Sequence, residues 1–225
     1  EVLVIKKMNF SEIEQIAAEA GPLNFVLADL GVSSMQIDNP ERGFSLKMDG
    51  PLDLRLNPKS GRPASALLKN ISQQQLEDIL IQNADEPHAA IIAKSIIAKM
   101  AKTKGIETTN QLKEVIAEAL GFLPNINKID QIKKSCQRCF QALRIEVNNE
   151  FGVLEKFLEK LPAVLDTGGR VAMLTFHSGE DRIVKNMFKA FETKDNRQEK
   201  VKPGRAEVVE NKRSRSAILR TIIKT

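Results

Sequence analysis

The feature that most limits what this chain can fold into is a strand–helix–strand order in its first thirty residues, closed by a carboxylate. Residues 2–5 (Val-Leu-Val-Ile) predict a short buried strand. Ser11 predicts a helix start, and Glu14 three residues on completes a capping box. Ile13, Ile16 and Ala17 fall on one face of that helix, which ends near Gly21-Pro22. Residues 24–29 (Asn-Phe-Val-Leu-Ala-Asp) predict a second strand. Two strands joined by one helix make a crossover unit, which implies a parallel sheet covered by helices.

The rest of the chain changes character twice. Residues 30–63 alternate Gly31, Gly43, Gly50 and Gly61 with Pro40, Pro51, Pro58 and Pro63, and so predict a long loop. Its apolar anchors (Phe44, Leu46, Leu52, Leu54, Leu56) predict an ordered one. Residues 64–138 read as helices only, with capping boxes at Ser72/Gln75 and Thr108/Gln111 and a strong apolar helix over 88–101. Phe140, Leu143, Val147, Phe151, Leu154 and Leu158 then step by 3, 4, 4, 3 and 4 residues, which predicts one long amphipathic helix. A turn at 166–169, a buried strand at 170–176, a polar loop at 177–182 and a helix carrying Ile183, Val184, Met187 and Phe188 follow. Residues 192–215 are charged and read as loose; 216–223 predict a last strand. The expected organisation is an α/β sheet domain from 1–50 and 139–225, split by an all-α insertion over 51–138.

Composition narrows the function classes. Hydrophobic residues make up 42% and charged residues 28%, so the chain is globular rather than disordered. No apolar run reaches the ~20 residues of a membrane span, and two cysteines cannot staple a secreted scaffold. Thirty-four Lys+Arg against 29 Asp+Glu give +5, a lean toward an anionic partner.

Three motifs carry chemistry. Asp29 stands where a parallel strand ends, at the edge where open α/β sheets bind ligands; a carboxylate there either accepts hydrogen bonds from a ligand or caps its own turn. The run from Phe176 to Arg182 lies at the same expected edge and packs His177, Ser178, Glu180, Asp181 and Arg182 together. Ser178 or Asp181 can cap the next helix, and the absence of a G-x-S-x-G elbow argues against a hydrolase. Cys136-Gln137-Arg138-Cys139 lacks the strand context of a redox pair and the further ligands of a zinc site, so two buried thiols are the better reading.

At Asp29-Leu30-Gly31-Val32-Ser33-Ser34 the chain resembles the MraW/RsmH family, and the match continues through Arg42-Gly43-Phe44-Ser45, Asp49 to Arg55, Phe140 to Ile145 with Asn148 and Glu150, Phe176 to Arg182, and Arg213 to Arg220. The resemblance implies an S-adenosylmethionine-dependent methyltransferase acting on cytosine N4 in small-subunit (16S) ribosomal RNA. It implies a Rossmann-like methyltransferase sheet with an inserted helical domain for RNA recognition, and cofactor contacts at Phe10, Asp29 and Gln36. It also implies no metal, a bacterial cytoplasmic or organellar setting, and room for a homodimer. The family's glycine-rich cofactor loop and ribose-binding acidic residue have no counterpart, so the expectation is a chain lacking the first two strands. Gly179 stands where the family often has Leu, and Cys136 and Cys139 fall in a block that usually reads His-Pro-Ala-Thr-Arg.

On that resemblance Asp29 is expected at the cofactor or the amino group, and His177 with Ser178 at the base, these three being the catalytic candidates. Asp49, Asp53 and Arg55 are expected to shape the base pocket. Arg42, Arg55, Arg138, Arg144 and Arg182 are the RNA-binding candidates. Two alternatives are a non-catalytic RNA-binding or ribosome-assembly protein on the same fold, and a DNA cytosine-N4 methyltransferase, whose Pro-Pro-aromatic tetrad is missing here. A thiol oxidoreductase using Cys136 and Cys139 is the remote third.

Overall fold

The computed structural model describes residues 3–225. In chain order the elements are α1 (Ile13–Ala20), β1 (Leu23–Asp29), α2 (Ser34–Ile37), α3 (Ala64–Lys69), α4 (Gln73–Ala84), α5 (Ala89–Lys102), α6 (Thr109–Ala119), α7 (Lys128–Asn148), α8 (Glu150–Val164), β2 (Leu165–Thr175), α9 (Ser178–Phe188), β3 (Glu199–Val201), α10 (Arg205–Glu210) and β4 (Ile218–Ile223). They sort into two compact units: residues up to Gly31 with Phe151–Thr225, and Val32–Glu150.

The first unit is a four-stranded mixed sheet in the order β1-β2-β4-β3. β1 runs parallel to β2, with Asp29 opposite Leu174, whereas β4 is antiparallel to both β2 and β3. Its core gathers Ile13, Val26, Leu154, Phe157, Leu158, Leu161, Val171, Met173, Val184, Phe188 and Ile222. β2 is central and buries Val171, Ala172, Met173 and Thr175, drawing on both faces. β1 buries Val26 but leaves Phe25 and Leu27 about 60% exposed on the opposite face, as the two-residue repeat of a strand dictates.

The strand expected over 2–5 is not there for its described part; Val2 lies outside the described residues. Leu3, Val4 and Ile5 are 86%, 66% and 86% exposed and have no ladder partner. An apolar run becomes a strand only when a neighbouring strand accepts its backbone groups, and among the described residues β1 pairs with β2 alone. Ser11 is not the cap of α1 either. A 3-10 turn over Phe10–Glu12 precedes the helix, and Asn9 caps it by accepting from Ser11 N at 3.0 Å and Ser11 Oγ at 2.9 Å.

The second unit packs α3 to α7 around Leu52, Leu54, Leu68, Leu76, Leu80, Ile92, Ile96, Leu112, Ile116, Phe140 and Leu143. Both expected capping boxes form, Ser72 with Gln75 and Thr108 with Gln111. The boundaries expected at 50/51 and 138/139 fall inside this unit. Leu52 and Leu54 of the loop, and Cys139, Phe140, Ala142 and Leu143 of α7, are buried in its core, so packing carries them with the helices. The apolar stripe from Phe140 to Leu158 belongs to two helices, not one. Asn149 adopts left-handed backbone (φ 49°) between α7 and α8, sending Phe140 and Leu143 into one core and Leu154 and Leu158 into the other.

Residues 192–215 hold more order than expected, with β3, α10 and a 3-10 turn over Lys212–Ser216. The 166–169 turn lies inside β2, where the register with β1 jumps between Leu23 and Phe25.

Candidate functional site

In the sheet unit the parallel pair places its ends together. Leu30 N donates to Leu174 O at 3.1 Å as the chain leaves β1, and His177 follows Leu174 by three residues. Asp29 is exposed, and among the described residues nothing hydrogen-bonds its carboxylate. Gly31 then turns with φ 90°, and a Cβ on it would sit 3.7 Å from the Phe176 ring. The loops after β1 and β2 therefore run side by side at the carboxyl edge. That is the general ligand edge of parallel sheets.

His177, not Ser178 or Asp181, caps α9. Its Nδ1 accepts from Glu180 N at 3.4 Å. Glu180, the residue at the third helical position, is buried; its Oε2 accepts from Phe176 N at 2.8 Å, and its Oε1 lies 3.1 Å from His177 Nε2. That last approach is misaligned, so the buried Nε2 has no hydrogen bond. The Phe151 ring closes the other side at 5.9 Å. Phe151 also explains Gly179: a Cβ there would meet Phe151 Cζ at 2.5 Å and His177 Nδ1 at 3.2 Å. Ser178 stands exposed at the first position of α9.

Asp181 anchors the helix from below. Arg220 of β4, itself buried, donates to Asp181 Oδ1 at 2.7 Å and Oδ2 at 3.0 Å, and to Gln198 Oε1 at 2.9 Å. Burial alone would raise the Asp181 carboxyl; hydrogen bonding and charge from Arg220 outweigh it and hold the group below its ordinary range. Phe10 presents a half-exposed ring packed edge-on against Phe157, centroids 5.2 Å apart. Sequence reasoning missed Glu180 and Phe151 as the holders of His177. The His177/Glu180 spacing of three was the available signal, since an N-cap residue and the third helical residue face each other.

The helical unit contains the remaining candidates. Ser33 caps α2 in a capping box in which Gln36 Oε1 accepts from Ser33 N at 2.9 Å. Arg42 donates to Arg55 O at 2.7 Å and Leu56 O at 2.9 Å, with Phe44 beneath its guanidinium at 5.6 Å. Arg55 pairs with Asp53 at 2.8 and 2.7 Å. Burial opposes but does not prevent the lowering of the Asp53 carboxyl by Arg55. Asn148 Nδ2 donates to Leu54 O at 2.8 Å, and its Oδ1 accepts from Leu56 N at 2.7 Å. Gly43 turns left-handed where a Cβ would strike Pro51 O at 2.4 Å. Asp49 accepts from Asn110 N and Thr109 Oγ1 at the start of α6, and the Asn110 hydrogen bond lowers its carboxyl.

Arg144 grips Glu150 at 2.8 and 3.0 Å. Arg138 lies 3.7 Å from buried Glu86, whose Oε1 accepts from Ser135 Oγ at 2.9 Å while Oε2 has no hydrogen bond. Of the five arginines, Arg42, Arg55 and Arg144 thus direct their guanidinium donors to this chain, and Arg182 is exposed on α9. Cys136 and Cys139 are buried inside α7; burial pushes the Cys136 thiol up to about 11 and the Cys139 thiol well above its ordinary value. Thiols so raised are poor nucleophiles.

The model of the MraW methylase family matches residues 1–225. Over 228 residues the chain is 59% identical to ribosomal RNA small subunit methyltransferase H 2 of Alkaliphilus metalliredigens, covering all of this chain and 65% of that protein. It is 51% identical to ribosomal RNA small subunit methyltransferase H 1 of Lachnoclostridium phytofermentans, again covering all of this chain and 62% of the relative. With the Acholeplasma laidlawii methyltransferase H 2 it shares 46% over 98% of its own length and 64% of the other. The chain therefore spans a little under two thirds of the length of each of these three relatives. Among the described residues no helix is long and apolar enough to cross a membrane.

Proposed function

The chain belongs to the MraW methylase family, and from that membership we propose that it works in the S-adenosylmethionine-dependent methylation of the exocyclic N4 of a cytidine in small-subunit ribosomal RNA. The observation that carries this reading is the unpartnered carboxylate of Asp29, exposed beside the His177 loop at the carboxyl edge of a parallel strand pair. An exposed carboxylate at that edge accepts hydrogen bonds from a hydroxyl or an amino group.

S-adenosylmethionine, when bound, supplies an electrophilic sulfonium methyl. The cytosine amino group is a weak nucleophile because its lone pair is delocalised into the ring, so the chain's task is to orient it. Positioning of this kind contributes up to about 7–11 kcal/mol in well-oriented systems, and the target base must leave its stack. Phe10 offers an apolar ring face to the cofactor, and the family resemblance assigns Gln36 a cofactor contact as well. Asp29 accepts from the cofactor or from the N4 amino group as positive charge develops on it. His177, steadied by Glu180 and Phe151, and Ser178 face the base. Arg182 and Arg138 serve phosphates. Arg42 and Arg55 serve the RNA indirectly, by fixing the loop that Asp49 and Asp53 also hold, and Arg144 does so by pairing with Glu150.

The test is methyl transfer to unmodified small ribosomal subunits, read as N4-methylcytidine by nucleoside mass spectrometry. The full-length protein carries the product and its Asp29→Ala variant does not. Product of another position or base, or equal turnover by the variant, overturns the reading.

A further inference from the structure

Charge is unevenly divided along the chain. Residues 182–224 hold thirteen Lys+Arg against five Asp+Glu, a net +8, so all the other residues together carry −3 of the +5 total. The excess has a definite place on α9. Glu180, Val184 and Phe188 are buried at four-residue steps. The opposite stripe, Ser178, Arg182, Lys185 and Lys189, is exposed, Lys189 extending the helix in right-handed backbone. Such spacing aligns the four side chains over about 16 Å of helix.

β3 adds to the same side. Lys200 is directly opposite Arg220 in the ladder, so the two side chains leave the same face of the sheet. Arg220 reaches Asp181 of α9 on that face. Asp181 accordingly sits in the combined field of Arg220, Lys200 and Lys185. One carboxylate cannot balance three cations, and Arg220 already takes both its oxygens. Among the described residues no carboxylate lies within 4 Å of Lys185, Lys189 or Lys200. A lysine on an edge strand also discourages strand addition, but that accounts for Lys200 only and leaves the stripe on α9 unexplained.

We propose that Lys185, Lys189 and Lys200 form a phosphate-binding ridge that carries the single-stranded RNA flanking the target nucleotide. The ridge begins at His177 and Ser178, so it rests on the reading of those residues as the base side of the site. Glu192 lies within the field of Lys189 but forms no close pair with it, and lysines without a close carboxylate fit a chain of phosphates, which they bind as point charges without reading sequence.

The experiment uses the full-length protein and unmodified small-subunit RNA. Binding is measured from 50 to 200 mM salt for the parent, for Lys185→Gln/Lys189→Gln/Lys200→Gln, and for the charge-matched control Lys7→Gln/Lys156→Gln/Lys160→Gln, whose lysines have no place in the proposed site. Three lost single-strand phosphate contacts lower the slope of log K against log salt by about 2, at roughly 0.7 each. The control leaves the slope unchanged. KM for RNA rises on the order of tenfold at the higher salt, while kcat and cofactor affinity stay within about twofold. Should the triple variant fold poorly, the α9 pair alone lowers the slope by about 1.4. Equal slopes in ridge and control variants, with a parent that methylates normally, overturn the ridge and leave the proposed function standing. A parent that neither binds nor methylates the RNA overturns both.

Discussion

Arg220 and Asp181 form a two-pronged ion pair, 2.7 and 3.0 Å, that fastens the first turn of α9 to β4. Arg220 is buried, and Gln198 takes one of its remaining donors. Removing the carboxylate leaves a buried guanidinium without its counter-charge, which costs about 3–5 kcal/mol. Asp181→Ala should lose that much in urea unfolding, and a loss under 1 kcal/mol would show the pair to be dispensable. The pair also sets a pH dependence. Because the folded carboxyl titrates below its ordinary value, its contribution is present above the unfolded pKa, about 3.9, and fades as pH falls through the lower folded one. Parent and variant unfolding curves should converge on acidification below pH 4.

Asp29 has the opposite character. It is exposed and unpartnered, so Asp29→Asn should change stability by no more than about 0.5 kcal/mol while methyl transfer falls by a factor of about a hundred or more. A stability loss matching the activity loss would return Asp29 to a capping role.

Glu180 holds the Phe176 amide and faces His177. Glu180→Gln keeps an oxygen for the amide but alters what His177 Nε2 meets. We expect kcat to fall about tenfold with cofactor binding unchanged. Single-turnover kinetics with isothermal titration separates the two, and equal losses in both would mean that Glu180 only stabilises the fold.

Cys136 and Cys139 should resist thiol reagents at pH 8 in the native state, since the Cys136 thiol is pushed to about 11 and both are buried. Labelling should appear only on unfolding. Replacing both with Ser should leave methyl transfer per folded molecule intact and cost about 1–3 kcal/mol per buried hydroxyl. Lost turnover at full folding would reopen a thiol chemistry.

Asn149 takes left-handed backbone between α7 and α8. Asn149→Gly should be neutral or slightly stabilising, whereas Asn149→Val should cost about 1–2 kcal/mol. Thermal unfolding of the pair decides it; equal midpoints would mean that the helix break is relaxed.

What the sequence disclosed follows from how local each cause is. Capping boxes at Ser72 and Thr108 were legible because both partners lie within four residues. β1 and β4 were legible from apolar runs bounded by turn residues. The break at Asn149 was not, because the apolar spacing continues across it while the two halves of the stripe enter different cores. Leu3 to Ile5 looked like a strand because composition alone cannot show whether a ladder partner stands alongside. At the site, Asp29 and His177 were legible as ends of strands. The holders of His177 were not, since Phe151 lies 26 residues before it in the chain and its contact is purely tertiary. The arginine motifs were legible as motifs, but their direction was not: Arg42 and Arg55 point into their own loop.

The pairing of β1 with β2 has a consequence for synthesis. Asn24 at the start of β1 meets Asp166 across 142 residues of sequence, and β1 has no other strand beside it among the described residues. During translation the helical unit between them is complete, with its core contacts internal, while β1 still waits for its neighbour. Closing so long a loop is slow when unassisted. A helical unit that folds first shortens the effective tether between the two strands, so the insertion acts as a folding spacer.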